Sequence, residues 1–332
     1  AGASTMIRAL IFSIALLLPL AARAADPLGI DLEGFPYPFP VAFFPLEVWH
    51  HPSRMAYMDV APTGAPNGQA VLLLHGRNFP SSYWATVIRP LIAAGYRVIA
   101  PDQIGFNKSS KPEVAWSFDD AAAYTARLLD SLHLAKVDVV GHSMGGMLAM
   151  RFARDFPGRV NRLVLESPLG LEDYRLYVPP VSPDVLYRQE FNQTAGQYLH
   201  YLMTAYGVTL PPEALKPFVE VRERIKGSAG YPRWVEVFDS TYYAIWGQPI
   251  VDEIPMIVTP TLFMVGSRDR TAPGRAFAPP ADRDRMGHIA ELARDWATKM
   301  PDARVATFDT GHLIHLESTA AFDAALLRFL GH

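Results

Sequence analysis

A serine hydroxyl becomes a useful nucleophile only when a base takes its proton and a third group orients that base. Such a serine stands at Ser143, inside Gly141-His142-Ser143-Met144-Gly145-Gly146. The apolar run Val137-Asp138-Val139-Val140 precedes it and the helical pattern Met147 to Ala153 follows. G-x-S-x-G between a strand and a helix forms a nucleophile elbow, a turn so tight that a Cβ at Gly141 or Gly145 would strike neighbouring backbone. Open parallel sheets gather their working groups at the carboxyl ends of strands, so the base and acid are sought there. Asp269 follows Leu262 to Val265, and His312 follows Val305 to Phe308 in Asp309-Thr310-Gly311-His312. Ser143 as nucleophile, His312 as base and Asp269 as orienting acid give the chain order Ser, Asp, His expected with such an elbow.

An acyl-transfer site also needs backbone N–H donors for the developing oxyanion. Met144, directly after the nucleophile, supplies one. The second is expected from Arg77, in His75-Gly76-Arg77-Asn78-Phe79-Pro80 after the apolar run Ala70 to Leu74. Only its main chain is required there, and its side chain is expected in solvent. His75 and His142 are expected to support their turns, and His315 is the rival of His312 as base. No H-E-x-x-H or G-x-x-x-x-G-K pattern occurs, so neither metal nor nucleotide is implied and no cofactor is expected.

Composition narrows the remaining classes. The 332 residues are 50% hydrophobic with a formal net charge of −3, enough for a large core and without the excess charge of a nucleic-acid-binding protein. There is no cysteine, which excludes thiol nucleophiles, thiolate metal sites, disulfides and lipidation at cysteine. Residues 1–24 read as a signal peptide: Arg8, the apolar stretch Ala9 to Leu20, then Ala22-Arg23-Ala24 as a cleavage site. Residues 1–5, upstream of Met6, are set aside as a leader remnant. Export to the periplasm or the medium is expected. The apolar stretch is shorter than the roughly 20 residues a spanning helix needs, so no permanent membrane anchor is expected after cleavage.

Residues 25–45 form a Pro- and aromatic-rich arm, expected to run extended against the surface. Strand-like runs follow at Leu46 to His50, Met55 to Val60, Ala70 to Leu74, Tyr96 to Ala100 and Val137 to Val140, then at Val160 to Glu166, Pro260 to Gly266 and Ala303 to Phe308. Helical patterns alternate with them, which predicts a parallel sheet with helices on both faces. The alternation breaks over residues 172–250, where the spacing of Tyr187, Phe191, Tyr198 and Leu202 is helical and nine of the chain's 14 tyrosines fall. This segment is read as a helical cap, flanked by core segments 46–171 and 251–332.

These residues resemble the α/β-hydrolase family over nearly the whole chain after the leader. His75-Gly76, the stretch Pro101 to Ser109, the elbow at Ser143, Asp269 and Gly311-His312 occur in the family's order. Asn107 stands where the family usually has glycine, a loop variation because Asn tolerates left-handed backbone. The resemblance implies an eight-stranded, mostly parallel sheet with a lid inserted after the sixth strand. It also favours His312 over His315, since the histidine after glycine in this loop is the family's base.

Serine at the elbow argues against the dehalogenase and epoxide-hydrolase branches, which carry Asp there. The leading expectation is a carboxylesterase-like serine hydrolase acting on a small ester-like molecule through an acyl-enzyme. A carbon–carbon bond hydrolase of diketones would use the same triad, and a non-catalytic receptor on a hydrolase fold is the third reading. The oligomeric state is left open.

Overall fold

In the computed structural model residues 26–331 are described, so the signal-peptide reading of residues 1–24 lies outside the described residues. The eight strands are β1 Val41–Val48, β2 His51–Val60, β3 Ala70–Leu74, β4 Arg97–Pro101, β5 Val137–His142, β6 Val160–Glu166, β7 Thr261–Gly266 and β8 Ala303–Phe308. They form one sheet in the order β1-β2-β4-β3-β5-β6-β7-β8. β2 runs antiparallel to both β1 and β4; every other pair is parallel. The chain therefore has the α/β-hydrolase architecture expected of it.

The central strands are apolar on both faces because helices cover both. Leu72, Leu74, Val139, Leu163, Leu165, Phe263 and Val265 pack on one side with residues of α2 (Phe118–Ser131), α3 (Met144–Asp155) and α9 (Ile289–Ala297). The alternate residues Val71, Leu73, Val140, Val164, Leu262 and Met264 pack on the other with α1 (Ala85–Ala93) and α11 (Thr319–Leu330). A period of two along each strand thus builds two cores from one sheet.

One boundary is corrected. Residues 41–45, assigned above to the arm, are the first half of β1, paired with β2 from Val41↔Met58 to Val48↔His51. The turn between them is Trp49-His50, both with positive φ (46° and 68°), which gives the tight hairpin without the Asn-Gly or Asp-Gly signal that advertises such turns. Pro45 and Pro52 are tolerated because this hairpin lies at the sheet edge.

Between β6 and β7 stand four helices, α4 Pro183–Asn192, α5 Ala195–Thr204, α6 Pro212–Lys226 and α7 Tyr231–Gly247. The continuous helical spacing from Tyr187 to Leu202 covers two of them, split at Thr194, whose capping box with Gln197 starts α5 afresh. Two four-residue helices, α8 Pro280–Arg283 and α10 Ile314–Glu317, complete the set. The arm fastens cap to core: Leu28 N–H donates to Arg224 O of α6 at 3.0 Å, and Asp31 pairs with the buried Lys111 ammonium at 3.0 Å. Further along it, the Tyr37 hydroxyl donates to Asp102 at 2.6 Å.

Candidate active site

The elbow is as tight as its glycines require. A Cβ at Gly141 would lie 2.3 Å from Gly145 O, and one at Gly145 would lie 2.1 Å from Leu74 O. Ser143 takes φ 57° and ψ −120°, a left-handed conformation costing on the order of 1–3 kcal/mol that the packed neighbours hold in place. Its carbonyl accepts from Gly146, Met147 and Leu169, and its own N–H donates to Glu166 O at the end of β6. Met144 N–H is the first amide of α3, so no helical carbonyl lies behind it.

His312 and Asp269 meet from the ends of β8 and β7. His312 Nδ1 lies 2.8 Å from Asp269 Oδ2, both side chains being fully buried. The second carboxylate oxygen, Oδ1, accepts from Thr271 N–H at 2.9 Å. Burial alone would raise the Asp269 carboxyl, but His312 and the hydrogen bonds from His312 and Thr271 outweigh it and hold the group below its ordinary range. The carboxylate can only accept, so Nδ1 carries the proton and Nε2 presents its lone pair. Nε2 is buried and has no hydrogen-bond partner among the described residues.

The loop after β3 packs directly on the elbow: a Cβ at Gly76 would sit 2.9 Å from His142 Nδ1 and 3.2 Å from Ser143 Cβ. That contact brings the Arg77 main chain beside Ser143. The Arg77 side chain is not in solvent, and here the expectation fails. It is half-sandwiched under the cap, with Nε donating to Thr241 Oγ1 at 2.7 Å, Nη2 to Phe238 O at 2.9 Å, and the guanidinium 3.6 Å from the Phe238 ring centre. Local sequence could not reveal this, because its partners lie more than 160 residues away.

The remaining histidines have structural partners. His75 Nδ1 donates to Gly76 O and its Nε2 accepts from Gln103 N–H. His142 Nε2 must donate to His312 O at 2.9 Å, since a carbonyl only accepts, and Nδ1 therefore accepts from the Tyr83 hydroxyl at 3.0 Å. Burial drives the His142 imidazole down to about 3, so it is neutral. Tyr83 also accepts from Gly76 N–H at 3.1 Å, which makes it the link between the loop after β3 and the elbow. Nothing in the sequence marked Tyr83. His315 Nδ1 is taken by Glu166 at 2.9 Å. Asn107, at φ 49°, adopts the left-handed backbone glycine would have supplied.

A cavity of about 430 Å³ opens above Ser143. From the cap segment, Leu186, Tyr198, Tyr201, Tyr206, Tyr242 and Ile245 line it. Other cap aromatics hold the cap together instead: Tyr231 stacks on Trp234, and the Trp246 indole donates to Val178 O. Among the described residues no group of three His, Asp or Glu side chains is gathered as a metal ion would require.

Residues 69–319 match the sequence profile of the alpha/beta hydrolase fold. The chain belongs to the α/β-hydrolase fold family. It is 40% identical to a probable hydrolytic enzyme of Pseudomonas aeruginosa PAO1, whose crystal structure superposes with a TM-score of 0.89 over 93% of this chain and 100% of that one. It is 28% identical over 294 residues to a 2-hydroxy-6-oxo-6-phenylhexa-2,4-dienoate hydrolase of Burkholderia cepacia, covering 81% of this chain and 90% of the relative. An esterase of Exiguobacterium antarcticum, 19% identical, shares the fold with a TM-score of 0.65 over 85% of this chain and 97% of that one.

Proposed function

We propose that this family member is a serine hydrolase that cleaves a small carboxylic ester, or a related acyl bond, through an acyl-enzyme. The observation that carries the reading is the buried His312, anchored by Asp269 on one nitrogen and unpartnered on the other. Its counterpart is Ser143, strained at the elbow and lining the cavity. In the first step the Ser143 hydroxyl proton passes to His312 Nε2 as Oγ bonds to the carbonyl carbon. The oxyanion so formed accepts hydrogen bonds from the Arg77 and Met144 amides. Collapse breaks the bond to the leaving alcohol, which takes the proton back from His312. Water, deprotonated by the same nitrogen, then frees the acid and restores Ser143. Asp269 stays ionised and stabilises the imidazolium.

A fluorophosphonate probe should label Ser143 in the wild type and not in Ser143→Ala. A folded wild-type protein that neither labels nor cleaves nitrophenyl esters would overturn the reading. A second reading, carbon–carbon hydrolysis of a diketone with the same triad, is favoured by likeness to the Burkholderia hydrolase over most of its length. Nitrophenyl esters and a vinylogous diketone assayed side by side separate the two by kcat/KM. Export to the periplasm or the medium, proposed from residues 1–24, is checked by the N-terminal sequence of mature protein, expected near Ala25.

A further inference from the structure

The cap face of α7 turns a row of residues toward the cavity. Asp239, Tyr242 and Ile245, three apart, lie along one side of that helix, and all three line the cavity with Ser143. Asp239 is 8% exposed and Tyr242 7%. Asp239 Oδ2 and the Tyr242 hydroxyl are both buried without a hydrogen-bond partner among the described residues. Leaving such groups unmatched is costly in a protein interior, so side chains placed this way suit a ligand that completes them. Burial pushes the Asp239 carboxyl up to about 6 despite the opposing pull of Arg77 and Arg222.

The surrounding charges define what that ligand group can be. The Arg77 guanidinium is held by Thr241 and Phe238, and its Nη2 lies 3.8 Å from Asp239 Oδ1. Arg222 lies over the Tyr198 ring, contacts the Glu190 carboxylate and donates to Asn78 Oδ1. Arg77 and Arg222 thus stand with Asp239 and Glu190 around the end of the cavity beneath α7, while Arg270, Arg275 and Arg283 line its wall along residues 270–283. An added anion would meet Asp239 and Glu190, and an added cation would meet Arg77 and Arg222. A neutral group that donates to Asp239 and exchanges a second hydrogen bond with Tyr242 has no such conflict, and a hydroxyl is the simplest group that does both.

We infer that Asp239 and Tyr242 form a hydroxyl-recognising subsite in the cap, so that the preferred substrate carries an alcohol group on the portion held beneath α7. The inference rests on the cavity above Ser143 being the substrate site, as proposed above, but not on which bond is cleaved there. Ile245, farther along the same helix face, and Leu169, beside the elbow, give the chamber apolar patches, while Gln189, Gln193, Thr204 and the three arginines of residues 270–283 make much of the remaining wall polar. The substrate would then be an acyl compound with a hydroxyl contact beneath α7.

The test compares ethyl butyrate with its 2-, 3- and 4-hydroxy, 4-amino and 4-carboxy counterparts. Binding to Ser143→Ala is measured by calorimetry, and turnover is measured with the wild type. At least one hydroxy ester should bind about tenfold tighter than the plain ester, the usual scale for a hydrogen bond to a charged acceptor. Tyr242→Phe should reduce that preference severalfold, and Asp239→Ala should bring it to within about twofold of unity. Circular dichroism melts should confirm that both variants are folded. Equal affinity for plain and hydroxy esters, or tighter binding of the amino or carboxy ester, overturns the inference. Absence of labelling in the wild type would instead count against the hydrolase reading, while the calorimetric comparison still decides the subsite.

Discussion

Gly76→Ala tests the proposed oxyanion role of the loop after β3 separately from Ser143, His312 and Asp269. The added Cβ would lie 2.9 Å from His142 Nδ1 and 3.2 Å from Ser143 Cβ. Ordinary contact begins near 3.5 Å, so about 0.6 Å must be found at the closer of the two. His142 cannot yield it freely: the ring is buried, bonded through Nε2 to His312 O and through Nδ1 to Tyr83. Moving it would drag the base with it, so the loop gives way. A retreat of about 0.6 Å at the next residue takes the Arg77 N–H from the ~2.7–3.1 Å useful range to about 3.3–3.7 Å, outside it. Loss of one such donor lowers kcat by about 10²–10³. Stopped assays on a nitrophenyl ester should show this fall in kcat, with KM within about threefold. Circular dichroism melts should confirm a folded variant. A folded Gly76→Ala protein with kcat within threefold of the wild type, or with its loss confined to KM, would refute the assignment of Arg77 N–H to the oxyanion.

The other predictions concern the supports of the site. Asp269→Asn should keep the fold and lower kcat on the order of 10⁴-fold, because His312 would no longer be held with its proton on Nδ1; equal activity would remove Asp269 from the mechanism. His142 titrates at about 3 when folded, against an ordinary value of about 6.5. Between those values the unfolded chain binds the extra proton, so this stabilisation is complete above about pH 6.5 and is lost as pH falls toward 3. Melting temperature followed from pH 7 to 4 should fall less steeply in His142→Asn than in the wild type, and parallel curves would contradict the assignment. Tyr37→Phe removes one donor from Asp102, which still accepts from Ser81, Asn107 and Lys108. Urea unfolding should register about 1 kcal/mol lost, with KM unchanged.

The order of strands and helices was legible because burial imposes a period: apolar runs of five or six mark strands covered on both faces, and amphipathic spacing marks helices. The elbow was legible for a related reason, since its glycines are fixed by contacts of 2.1–2.3 Å that no side chain survives. The first hairpin was misjudged because Trp49 and His50 adopt left-handed backbone that their residue types do not announce.

By itself, the sequence determined the fold, the elbow that carries Ser143, and the placing of Asp269 and His312 at strand ends. Each is set by local pattern, with residue type and spacing tied to backbone geometry. Tertiary structure decided the rest: that Tyr83 joins the Gly76 loop to His142, that Arg77 folds under the cap, and that Asp239 and Tyr242 face the chamber above Ser143. Those contacts join residues far apart in the chain, and a cap packed onto a separate core has no short-range pattern that specifies which of its side chains turn inward.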